Sequence, residues 1–136
     1  MKNPELANDY VTRAARRLKA IDVLYADKGW ADVVRESQES VELALKALLR
    51  QCDVEVPRIH DVSEVLRENE SLLPPTVAPH LDELCEISRH LRRDRELAYY
   101  GSEDLTPSTF YKEADARLAR KEARRVVEVV GKVFRT

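Results

Sequence analysis

An all-α chain, folded as an antiparallel bundle of four to five helices, is what this sequence predicts, and three observations predict it. Apolar residues recur with a helical period in every long segment. Proline and glycine fall largely between those segments. No stretch requires the alternation of a strand. At 136 residues the chain is expected to form one domain, residues 1–136, long enough to bury a core without disulfides or metal.

The elements follow in order. Asn3-Pro4-Glu5 reads as a helix opening, with Asn as cap, Pro at the first helical position and Glu complementing the helix dipole. Val11, Ala14, Leu18, Ile21 and Tyr25 carry the stripe of this first helix, and Arg13, Arg16, Arg17 and Lys19 lie largely outside it as a solvated basic face. Asp27-Lys28-Gly29 is the break, with Gly29 suited to the left-handed cap conformation. The central helix starts near Trp30 and runs to Cys52, with Val33, Val34, Ser37, Val41, Ala44, Leu45, Leu48, Leu49 and Cys52 on its core side. Its composition favours helix, and Glu42 with Lys46 is an i,i+4 pair in the favourable order.

Beyond Cys52 the period fails, and Pro57 marks a loop. A short helix is predicted from Asp61, which forms a capping box with Glu64 and carries Val62, Val65 and Leu66 on its apolar side. Pro74-Pro75 ends it, and Thr76 caps a second long helix over Val77–Tyr99. The inner side of that helix reads Val77, Leu81, Leu84, Cys85, Ser88, Leu91 and Ala98, and Gly101 stops it. Thr106-Pro107 opens a turn in the next loop. From Phe110 a last helix places Leu118, Ala119, Ala123, Val126, Val127, Val130, Val133 and Phe134 inward.

Composition excludes several classes. With glycine only at 29, 101 and 131, neither a phosphate loop nor a dinucleotide fingerprint can be built. The formal charge of −2 leaves no global footprint for nucleic acid, so such binding needs a local basic patch. No apolar run of membrane-spanning length exists and the first residues lack a signal-peptide core, which places the protein in the cytoplasm, away from membrane. Cys52 and Cys85 are expected as buried, reduced thiols, and the His60-Asp61 pair has no further ligands at metal spacing, so neither cofactor nor metal is expected. Ser37, Ser40 and Ser88 have no base and acid arranged about them.

One stretch carries chemistry. RHLRRDRELAYYG brings Arg89, Arg92, Arg93 and Arg95 together with Tyr99 and Tyr100 at a helix end. Arg holds phosphate bidentately, and Tyr stacks on a base or bonds a sugar or phosphate, so the combination suits a nucleotide or RNA. The plainer reading of the same residues is a charged face, partly neutralised by Asp94 and Glu96, with the tyrosines packed on the last helix.

Three stretches also resemble a known family: SQESVELALKALLRQCDVEVPRIHDVSEVL, RRDRELAYYG and FYKEADARLARKEARRVVEVV are similar to the central, second long and closing helices of the HEPN domain. The resemblance implies a homodimer with its Arg-bearing helices facing across a cleft, and a minimal nucleotidyltransferase as partner in a toxin–antitoxin pair. It also implies a ribonuclease motif, an Arg followed after four to six residues by His. Arg93-Asp94 matches the start, but Tyr99 stands at the His position, with Tyr100 beside it, and His60, His80 and His90 all precede this region. Imidazole exchanges protons at neutral pH, whereas a phenol of ordinary pKa near 10 is a poor general base. The implied site is therefore a binding site, Arg93, Asp94, Arg95, Tyr99 and Tyr100, rather than a metal-independent ribonuclease centre. An active ribonuclease toxin and a purely structural interaction module are the alternatives.

Overall fold

A computed structural model of the protein describes residues 3–56 and 58–134. Its helices among these residues are α1 (Pro4–Ala26), α2 (Trp30–Gln51), α3 (Ser63–Glu68), α4 (Leu81–Tyr100), α5 (Pro107–Phe110) and α6 (Glu113–Phe134). Tighter 3₁₀ turns occupy Glu70–Leu72 and Ala78–His80, and no strand occurs among the described residues. The all-α bundle is thus observed, with four long helices and two short ones. The loop marker Pro57 lies outside the described residues.

Capping chemistry sets the helix ends. Asn3 accepts the Leu6 N–H at 3.1 Å and Pro4 opens α1, as expected. The turn into α2 differs from expectation: Lys28 takes the left-handed conformation, at φ 62°, and Gly29 does not. Lys28 N–H bonds to Tyr25 C=O at 3.0 Å and Gly29 N–H to Leu24 C=O at 2.9 Å. This doubly bonded helix end requires its left-handed residue one position before Gly29. The end of α2 repeats it: Asp53 has φ 59° and bonds to Arg50 C=O, while Val54 bonds back to Leu49 C=O.

Four other boundaries move. The helix expected from Asp61 begins at Ser63, because the Asp61 carboxylate accepts the Ser63 N–H at 3.0 Å and the Ser88 hydroxyl at 2.8 Å. Asp61 thereby ties the loop to α4 instead of forming a box with Glu64. That helix ends at Glu68, not at the prolines, and α4 starts at Leu81, since Val77 and Ala78 turn back onto Pro74 C=O before the 3₁₀ turn. Thr76, the expected cap, is exposed ahead of that turn. The last helix starts at Glu113 rather than Phe110, because Pro107 nucleates a separate turn and Tyr111 is extended. Gly101 does stop α4, at φ 72°, where a Cβ would lie 2.5 Å from Leu105 O.

The core is built around α2, which α1, α4 and α6 all cover. The one-sided stripe expected there is too narrow. Gln38, Ser40 and Ala47 are buried along with Val33, Val34, Ser37, Val41, Ala44, Leu45, Leu48 and Leu49, while Cys52 is half-buried. All seven residues assigned to the inner side of the second long helix are buried. On α6 the assignment fails at Leu118, which is 48% exposed because it lines an open groove between α4 and α6. Cys85 is buried, and neither it nor Cys52 forms a disulfide.

Leu45 is fully buried at the centre of this packing. Leu45→Asp is expected to cost about 4 kcal/mol or more, since it places an unpaired carboxylate in apolar surroundings. Urea unfolding monitored by circular dichroism measures this, and an unchanged midpoint rejects α2 as the centre of the core.

Candidate nucleic-acid interface

The helical repeat decides how the Arg/Tyr stretch is displayed. At about 100° per residue, Arg93 and Tyr100 point within about 20° of each other, and Arg95 and Tyr99 within about 40°, but Arg93 and Arg95 are about 200° apart. Leu91 and Ala98 fix the buried direction. Arg93 and Tyr100 therefore face outward, Arg95 and Tyr99 flank α2, and Asp94 turns toward α6.

Contacts agree with that geometry. The Arg93 side chain is 72% exposed, its nearest carboxylate oxygen being Asp94 Oδ2 at 3.8 Å. Asp94 is mostly covered: it accepts the Tyr111 hydroxyl at 2.9 Å and lies 3.9 Å from His90 Nε2. Burial, and then the bond to Asp94, push the Tyr111 phenol well above its ordinary range, so it stays a donor. Arg95 leans on α2, with Nη2 3.7 Å from Glu39 Oε1, and its Nε is buried without a hydrogen-bond partner among the described residues. Glu39 is shared with Arg35, at 2.9 Å, and the Arg35 guanidinium lies over the Tyr99 ring, 5.2 Å from its centroid.

Tyr99 and Tyr100 are 57% and 77% exposed and meet edge to face at 4.6 Å. They are not packed on α6. Of the five residues singled out in the sequence, Arg93, Tyr99 and Tyr100 are thus open to solvent, while Asp94 and Arg95 are held by protein partners. Arg35 joins them and was missed. Its spacing to Glu39 marks an exposed-side pair on α2, and only the docking of α4 brings that pair under Tyr99.

The stripe continues down α2. Gln38 Nε2 donates to Glu42 Oε1 at 2.9 Å, Lys46 Nζ to Glu42 Oε2 at 2.9 Å, and His60 Nδ1 lies 2.9 Å from Glu42 Oε1. Burial alone raises the Glu42 carboxyl, but the bonds from Lys46, Gln38 and His60 outweigh it and hold the group below its ordinary value. The other histidines are also engaged. His90 Nδ1 is 2.9 Å from Glu122, whose carboxyl burial pushes up, and His80 Nδ1 is 3.3 Å from Arg125 Nη2. None of the three lies after Arg93 in α4 or beyond. Among the described residues no three His, Cys, Asp or Glu side chains gather as a metal site, and no helix is long and apolar enough to cross a membrane.

The fold and this cluster define a small helical bundle with an arginine–tyrosine face at the end of its second long core helix. The model of the HEPN domain matches residues 7–133, and the chain belongs to that family. A crystal structure of an archaeal HEPN homologue is similar over 99% of this chain and 100% of that one, with a TM-score of 0.70 and 24% identity, which is a likeness of fold. No curated protein matches the chain.

The depressed Glu42 carboxyl has a consequence for acid stability. Its stabilising contribution is fully present above the ordinary carboxylate value of 4.5 and is lost as pH falls through its lower folded value. Glu42→Gln is expected to be less stable than wild type at neutral pH and to lose less stability on acidification. Urea midpoints measured from pH 7 to pH 3 check this; parallel profiles reject the network.

Proposed function

We propose that the protein binds nucleotide or RNA through Arg93, Arg95, Tyr99 and Tyr100, with Asp94 and Arg35 positioning the cluster. One observation carries the reading: an exposed guanidinium and two exposed phenol rings sit at one helix end beside a second guanidinium, that of Arg95, held loosely by Glu39 at 3.7 Å. Arg93 is free to take a phosphate with paired N–H groups, and the open ring faces accept bases. Arg95 supplies a second phosphate contact once Glu39 yields part of its hold.

Membership in the HEPN family favours a nucleic-acid or nucleotide ligand over other anions, and the homodimer and the nucleotidyltransferase partner belong to the same reading. Cleavage does not. Tyr99 occupies the position where the ribonuclease motif has His, and His60, His80 and His90 are engaged elsewhere.

Arg93→Ala is expected to weaken binding of a labelled single-stranded RNA about tenfold, the scale of one charge-assisted contact, with folding stability unchanged. The slope of log affinity against log salt should become shallower by about 0.7 for that one phosphate. Arg95→Ala should weaken binding and also lower the urea midpoint, since it withdraws the guanidinium from Glu39. Fluorescence anisotropy at low and moderate salt measures both. Wild-type protein that binds neither RNA nor mononucleotide at low salt, or an Arg93 variant that binds equally well, overturns the reading.

A further inference from the structure

Beside Tyr99 two guanidiniums converge on a single carboxylate oxygen. Glu39 Oε1 lies 2.9 Å from Arg35 Nη2 and 3.7 Å from Arg95 Nη2, so the first contact is a hydrogen bond and the second is not. The Arg95 side chain, though mostly covered, makes no hydrogen bond at all among the described residues. Arg35 has one further contact, from Nη1 to Gln38 Oε1 at 3.5 Å. The next carboxylate along α2 cannot make up the lack, because Glu42 is taken by Gln38, Lys46 and His60. Two arginines against one carboxylate leave a positive charge in excess, and donors in a half-covered place without acceptors. Such donors gain from any acceptor that fits.

Charge and oxygen count select that acceptor. An internal phosphodiester brings one negative charge and two free oxygens, which the single exposed guanidinium of Arg93 can match. A phosphate monoester carries about −1.5 to −2 charges at neutral pH and three acceptor oxygens. Only the monoester can offer paired oxygens to two guanidiniums and offset both charges once the Glu39 carboxylate swings aside. The surroundings suit a nucleotide behind that phosphate. The Arg35 guanidinium lies 5.2 Å from the centroid of the Tyr99 ring, and that ring is 57% exposed.

We infer that Arg35 and Arg95 form a clamp for a terminal phosphate monoester, the phosphorylated end of an RNA strand, and that the Glu39 carboxylate fills the clamp when no ligand is bound. The clamp rests on the RNA binding of the proposed function and names the part of the strand that this flank takes. The phosphorylated end sits between Arg35 and Arg95, and the strand leaves past Tyr99 and Tyr100 toward Arg93. Arg35 thereby holds ligand itself, in addition to positioning Tyr99.

One single-stranded RNA with an internal fluorophore, carrying a 5′-phosphate, a 3′-phosphate or hydroxyls at both ends, tests this by anisotropy. One phosphorylated form is expected to bind about tenfold tighter than the hydroxyl form, and the arm that does so identifies the end that is held. Arg35→Lys keeps the charge and loses the fork, so it should remove most of that ratio. The ratio is read within each protein, and a loss of folded fraction cancels from it. Glu39→Gln keeps the shape and removes the competing charge, so it should tighten the phosphorylated form severalfold, whereas a Glu39 that only braces α4 would loosen it. Wild type that binds no form overturns the proposed function and the clamp with it. Equal affinity for all three forms, a preference that Arg35→Lys leaves intact, or no tightening in Glu39→Gln overturns the clamp alone and leaves the Arg93 face standing.

Discussion

The burial of α2 on nearly all its sides is the constraint from which the rest of the structure follows. A helix covered by three others must either be apolar all round or satisfy its polar groups internally. This one does the second. Ser40 donates to Ala14 C=O at 2.9 Å, joining α2 to α1. Gln38, Lys46 and His60 converge on Glu42, and Glu39 holds Arg35 and Arg95. Removing one partner from such a network leaves a charge stranded at low dielectric, which costs more than the intact network contributes. The network therefore fixes how α4 lies on α2, and with it where Arg95 and Tyr99 come to rest.

That dependence explains which parts were legible in the sequence. Periodicity placed the four long helices because an apolar stripe is a local signal that survives packing, and every residue assigned inward on α4 is buried. Periodicity alone read α2 as one-sided because Gln38 and Ser40 are polar, and a polar residue buried by means of a partner carries no mark in its own sequence. Leu118 erred the other way: it lies on the α6 stripe, yet it lines an open groove between α4 and α6 and stays half-exposed. The helix ends moved for a related reason. Asp61 was read as a cap from its neighbours, but its second bond goes to Ser88 on a distant helix. Lys28 replaced Gly29 as the left-handed residue because the bonding pattern counts positions from the helix end and glycine is only its commonest occupant.

The candidate site was legible as a composition and illegible as an arrangement. Arg93, Asp94 and Arg95 are consecutive, and consecutive residues on a helix diverge by about 100° each. One motif therefore distributes its members among solvent, α6 and α2. Asp94 is drawn to Tyr111 and His90, Arg95 to Glu39, and only Arg93 keeps a largely free side chain.

The same divergence limits what the face can hold. Arg93 with Tyr100 forms one outward line, and Arg95 with Tyr99 and Arg35 forms another; the two meet at the Tyr99–Tyr100 ring contact, while their arginines lie on nearly opposite sides of the helix. A helix with its side chains is about 10–12 Å across, so a single phosphate cannot touch both lines. On the proposed reading a mononucleotide would engage one line only, through arginine and tyrosine. A flexible strand can follow the exposed surface from the first line to the second, with Tyr99 and Tyr100, set edge to face at 4.6 Å, presenting differently oriented rings along the way. Duplex is poorly suited, since its bases are already stacked and its backbone is stiff. If the face binds nucleic acid as proposed, the rotation of α4 that splits the motif would suit single-stranded RNA better than either smaller or more rigid ligands.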